Sequence, residues 1–247
     1  MKHFAMYILA ALVLAACSTS LPQQPTANSR TMADSDDTTI YGLVCDGSND
    51  TIIVFLHDPY DGTDPDTLNI LEASRAQQVF GALRIGDKVA IMRDTADDKR
   101  ASLIIVTQDL LGQWCYKVKP TLRRRVVMDS LATDSLISEQ PDSIKRMLNT
   151  EVEYGVTLKI DSVAMPIGMG ADRTYTDGAQ LVEFPPLKRY RQWYIRDGKL
   201  LLTQMKLDSL GNTAPLSTDT ATLVALTPDT LVLRFADGEQ AYYKKAD

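Results

Sequence analysis

The stretch Gln192-Trp193-Tyr194-Ile195-Arg196-Asp197-Gly198-Lys199-Leu200-Leu201-Leu202-Thr203-Gln204 sets an Asp-Gly pair between two runs of strand-forming residues. A type I′ turn needs positive φ at both central residues, and Asp-Gly supplies it, so the stretch predicts a hairpin of Gln192–Ile195 and Lys199–Gln204. A second hairpin is predicted near the C-terminus, where Thr230–Phe235 and Glu239–Lys244 flank Asp237-Gly238. There Leu231, Leu233 and Phe235 alternate with Val232 and Arg234, the period of a half-buried strand.

Outward from these hairpins, helical patterns are scarce and short. Strand-like runs of about five to eight residues between turn signals dominate, which predicts a mainly β chain built of sandwiches or barrels. Residues 38–108 read as strand, strand, strand, short helix, strand, strand. The strands are Thr39–Cys45, Thr51–Leu56, Thr67–Leu71, Lys88–Arg93 and Leu103–Thr107, and the helix is Ser74–Phe80, with Ser74 as its cap and Gly81 at its end. This order resembles a small five-stranded Greek-key barrel of the OB type. From Asp109 a second β unit begins, interrupted by a polar stretch, Asp129 to Thr150, with a short helix near Ser143–Leu148.

The N-terminus has its own reading. Met-Lys-His is followed by an apolar run of 13 residues, Phe4 to Ala16, and then Cys17. A bilayer span needs about 20 residues, so the run reads as a secretory signal and not as a membrane helix. Leu14-Ala15-Ala16-Cys17 resembles the lipobox of bacterial lipoproteins, which implies cleavage before Cys17 and acylation of that residue. The expected plan is a signal over 1–16, the lipidated Cys17 with a flexible linker over 17–37, an OB-like module over 38–108 and a second barrel over 109–247. The linker spans about 25 Å on average, so the body stays near the membrane. Lipoproteins that reach the cell surface resemble one another in carrying acids right after the Cys; here the first acid is Asp34, which favours the periplasmic face, and the expected address is the outer membrane.

Residues 109–247 resemble the lipocalin-like domains of small envelope lipoproteins. The carriers are Leu111-Gly112-Gln113-Trp114, matching the Gly-x-Trp of a lipocalin first strand, the Trp193 hairpin, and Leu226–Leu233 with Ala241-Tyr242-Tyr243-Lys244-Lys245. The resemblance implies an up-and-down barrel with Gly112 and Trp114 at its closed end and a basic residue, Arg234 or Lys244, covering the indole. It departs from the family at Thr218-Asp219-Thr220, which lacks the Tyr of the Thr-Asp-Tyr motif. Tyr116, Tyr154, Tyr175, Tyr190, Trp193 and Tyr242 lie in or beside the barrel strands; they would either line an apolar pocket or fill the core.

Charge narrows the function. The chain carries 26 basic and 32 acidic residues. Without Lys2 the net is −7, and residues 38–108 alone carry 6 basic against 11 acidic side chains. Such a body lacks the basic footprint of a nucleic-acid binder; the one basic cluster, Arg123-Arg124-Arg125, reads as a solvated face. Beyond Cys17 two cysteines remain, Cys45 and Cys115, either a disulfide or two separately buried thiols. His57 stands alone after the signal, so His-based metal sites and Ser-His-Asp catalysis lack partners. Asp followed by Ser or Thr recurs, as at Asp66 and Asp229, without the density of a calcium loop; it reads as turn chemistry. No cofactor is implied. The expectation is a non-catalytic envelope lipoprotein that binds a small apolar molecule or lipid in the second barrel. The alternative is a protein-interaction module with solid barrels.

Overall fold

The computed structural model describes residues 37–122, 141–168, 182–207 and 212–246. The expected signal, Cys17, most of the expected linker, Arg123-Arg124-Arg125 and Tyr175 lie outside the described residues. No described helix is long and apolar enough to cross a membrane.

The first sheet contains β1 (Ile40–Val44), β2 (Ile52–His57), β3 (Asp66–Asn69), β4 (Val79–Phe80), β5 (Lys88–Arg93) and β6 (Ala101–Val106), with helix α1 (Leu71–Arg75) after β3. Strand order is β3-β2-β1-β5-β6-β4. A parallel bridge between Asn69 and Arg100 links the end of β3 to the start of β6. This is the order of a Greek-key OB barrel, as the sequence predicts. Alternation explains the core: Ile53 and Phe55 of β2 and Val89 and Ile91 of β5 are almost fully buried and pack with Ile104 and Val106.

The helix departs from expectation. It begins at Leu71, whose N–H donates to the Asn69 side chain at 3.0 Å, so Ser74 sits inside it and not at its cap. It ends at Arg75, with Gln77 turning the chain away at φ 56°, and not at Gly81. Val79 and Phe80 then pair in parallel with Ile104 and Ile105. Their strand propensity and burial outweigh continuation of the helix.

The second sheet contains β7 (Gly112–Val118), β9 (Val152–Leu158), β10 (Ala164–Ile167), β12 (Tyr190–Arg196), β13 (Lys199–Leu207), β14 (Thr213–Leu226), β15 (Thr230–Phe235) and β16 (Gly238–Lys245). Short strands β8 (Thr121–Leu122) and β11 (Val182–Glu183) pair with each other, and α2 (Asp142–Leu148) precedes β9. The eight strands run β10-β9-β7-β16-β15-β14-β13-β12, antiparallel throughout. The two edge strands approach each other through a Val163–Gln192 bridge and the Trp193 N–H donating to Ser162 O at 2.9 Å. The result is a nearly closed up-and-down barrel. Neighbours around the ring follow chain order, and β16 returns onto β7.

The first Asp-Gly turn forms as predicted: Asp197 and Gly198 take φ 48° and 67°, and Arg196 pairs with Lys199. The second shifts by one residue. Phe235 pairs with Gly238, so the loop is Ala236-Asp237, and Gly238, at φ 141°, opens β16.

The two sheets share a core. Ile104, Ile105 and Val106 are all fully buried because β6 is covered on both faces. Ile104 and Val106 face the first sheet's interior, whereas Ile105, Phe80 and Ala90 pack with Leu110, Trp114 and the barrel's aliphatic residues. The Tyr41 hydroxyl lies 2.5 Å from Ile195 O. A Cβ on Gly198 would meet Met92 Cγ at 3.1 Å. The first sheet therefore abuts the barrel end that carries the Asp197-Gly198 turn.

Candidate functional site

That end of the barrel is sealed by Trp114. Its side chain is fully buried, and its Nε1–H donates to Leu110 O at 2.7 Å. Lys244 lies across the indole, its Nζ 5.0 Å from the ring centroid, so Lys244, not Arg234, is the basic cover. Arg234 instead pairs with Glu239 at 2.7 Å. Gly112 is required twice here. Its φ is 127°, and a Cβ would lie 2.6 Å from Lys244 Cε.

Among the described residues the opposite end is open. Along β16, Lys244 covers Trp114, while Gly238 and Gln240 at the far end of the strand line a cavity of about 260 Å³. A cavity of roughly 150 Å³ holds a benzene ring, so this one has room for a ring and a short side chain. Its aromatic wall is Tyr116, Tyr190, Phe235 and Tyr242. Tyr116 and Tyr242 meet edge to face at 5.3 Å. Asp237, Glu239 and Gln240 form part of the lining.

The segment 184–189, between β11 and β12, crosses this mouth as a strap. The Tyr154 hydroxyl donates to Pro185 O at 3.0 Å. Lys188 Nζ sits 2.9 Å from Asp219, 3.8 Å from Asp237 and 5.5 Å from the Phe235 ring centroid. Tyr190 also donates to Asp219, at 2.5 Å. Burial pushes the Asp219 carboxyl up, but hydrogen bonds from Tyr190 and Lys188 outweigh it and hold the group below its ordinary range. Burial works against the Lys188 ammonium, yet Asp219 and then Asp237 raise it above its usual value. Burial, then the Asp219 hydrogen bond, raises Tyr190 strongly. Tyr242 is raised by burial, then by Tyr116, Asp237 and Asp219.

Of the aromatic residues singled out in sequence, Tyr116, Tyr190 and Tyr242 meet at this cavity. Tyr154 stands behind Tyr116, edge to face at 6.2 Å, and holds the strap. Trp193 is a core residue whose Nε1–H donates to Lys159 O at 2.9 Å. Cys45 and Cys115 are separate free thiols, Cys45 half-buried after β1 and Cys115 buried in β7. The pairing offered by sequence is not formed, because each thiol belongs to a different sheet. His57 ends β2, with its Nε2 3.9 Å from Asp66. Among the described residues, no cluster of three or more His, Cys, Asp or Glu is placed to hold a metal. Asp229 confirms the turn reading of Asp-Thr: it accepts from the Thr227 and Thr230 hydroxyls.

Sequence reasoning missed Lys188 and the strap, whose Pro185-Pro186 gives only a break signal. It also missed Gly155. A Cβ there would meet Trp114 O at 2.0 Å, so β9 passes β7 closer than any side chain allows. A glycine inside the run Val152–Leu158 was the available signal. Comparison of the chain with protein-family models, with curated proteins and with solved structures returned no match.

Proposed function

We propose that this chain is a non-catalytic binding protein of the bacterial envelope, anchored through lipid on Cys17 at an outer membrane and facing the periplasm. Its barrel takes one small molecule with an apolar body at the open end. The single observation that supports binding is the cavity itself: an aromatic-walled space that the strap roofs and that the described side chains leave unfilled. The same observation speaks against the competing reading of an interaction module with solid barrels.

Titration of the mature protein with an environment-sensitive apolar dye tests the binding reading. The expected result is one equivalent bound, with weaker binding in Leu187→Trp, whose indole enters the cavity from the strap. Dye binding that Leu187→Trp leaves unchanged would place the site elsewhere. The anchor has a separate test: labelled palmitate enters the wild-type protein and not Cys17→Ser. Equal labelling of both would refute it.

A further inference from the structure

The polar end of the cavity has a sign. The charged residues that line it are two carboxylates, Asp237 and Glu239, and one cation, Lys188; Asp219 and Arg234 enter as ion-pair partners of Lys188 and Glu239. Arg234 is committed to Glu239 at 2.7 Å, and Lys188 to Asp219 at 2.9 Å. Among the described residues Asp237 is left with only Lys188, at 3.8 Å, and is the least neutralised carboxylate there. The molecule already seats a cation here: the Lys188 ammonium lies near the Phe235 ring, with Asp219 and Asp237 on either side. Below it, the Tyr116 and Tyr242 hydroxyls have no hydrogen-bond partner among the described residues, and their rings offer π faces to a cationic guest. Tyr242 responds to the same field, being held protonated partly by Asp237 and Asp219.

A carboxylate guest would meet this surplus of acid and would have to draw Lys188 away from Asp219. An ammonium guest meets a carboxylate and aromatic faces; it shares Asp237 with Lys188, whose closer partner is Asp219, and leaves the Lys188–Asp219 pair in place. Resting on the binding reading above, we infer that the ligand of this cavity is an amine: a small organic cation whose ammonium pairs with Asp237 at the mouth and whose aromatic or short alkyl body lies among Tyr116, Tyr190 and Tyr242.

The test uses the full mature chain and three probes of matched body: 2-phenylethylamine, 2-phenylethanol and 3-phenylpropionate, titrated by calorimetry at neutral pH. The amine is expected to bind about tenfold tighter than the carboxylate, with the alcohol between them, and the gap narrows as salt screens the mouth. Asp237 lies on an exposed turn, so Asp237→Asn is expected to leave the fold intact. It should weaken the amine by about three- to fivefold and leave the alcohol unchanged, the range for a part-exposed ion pair. Lys188→Met should leave the amine bound as tightly or more tightly. Carboxylate binding equal to or tighter than the amine, or an amine preference that survives Asp237→Asn undiminished, overturns the amine assignment while leaving a binding barrel. Failure of all three probes to bind overturns the binding reading itself.

Discussion

Replacing Gly112 by Ala should damage the closed end of the barrel in two ways that can be separated. At φ 127° an alanine backbone is strained, by about 1–3 kcal/mol. Its Cβ would also sit 2.6 Å from Lys244 Cε, forcing that side chain off the Trp114 ring. The lost cation–π contact adds about 0.5–2 kcal/mol. Together the substitution should cost about 2–4 kcal/mol, read as a lower midpoint in urea unfolding followed by tryptophan fluorescence. In a Lys244→Ala background the clash is gone, and Gly112→Ala should cost only the backbone part. The double-mutant cycle should therefore show coupling of about 1 kcal/mol. A loss below about 1 kcal/mol for Gly112→Ala alone, or a cycle with no coupling, would refute the placement of Lys244 over the indole.

Three further outcomes are expected. Ile105→Ala removes a fully buried side chain between the two sheets and should cost about 2–5 kcal/mol; because the sheets share a core, unfolding should remain one transition by every probe, and two separate transitions would contradict the shared core. Tyrosine absorbance titration should find late-ionising phenols. The Glu153 hydrogen bond pushes Tyr243 up to about 12, and burial raises Tyr190 and Tyr242 further. These groups keep their protons in the folded chain above the pH near 10 where the unfolded chain releases them, so their stabilisation is complete below pH 10 and is lost as pH rises through the folded values. Ionisation of every tyrosine near pH 10 with the fold intact would count against it. Finally, a thiol reagent should label half-buried Cys45 in the native protein and Cys115 only after unfolding, and an oxidised protein with no titratable thiol would contradict two free cysteines.

What could be read in the sequence was what short range decides. The Asp197-Gly198 turn is set by the φ preferences of two neighbouring residues, and Lys88–Arg93 and Thr230–Phe235 have the strand limits that alternation predicts. The Asp237-Gly238 turn misled because Gly238 needs its positive φ as the first residue of β16 and not as a turn centre. The short helix misled because Val79 and Phe80 take their state from Ile104 and Ile105, some 25 residues away. The apolar run Ile104-Ile105-Val106 marks a strand buried twice over, but only the fold reveals what covers its second face. At the site, Tyr116, Tyr190 and Tyr242 were visible as aromatic residues of strands. Lys188 was not, because it becomes part of the mouth only when the strap brings it to Asp219.

The most direct test of the binding barrel is a search for intermolecular nuclear Overhauser effects between 2-phenylethylamine and the protein at saturating ligand. Contacts from the phenyl protons to the rings of Tyr116, Tyr190 and Tyr242 are predicted. Contacts confined to the first sheet, or none at saturation, would contradict a ligand in the open end of the barrel.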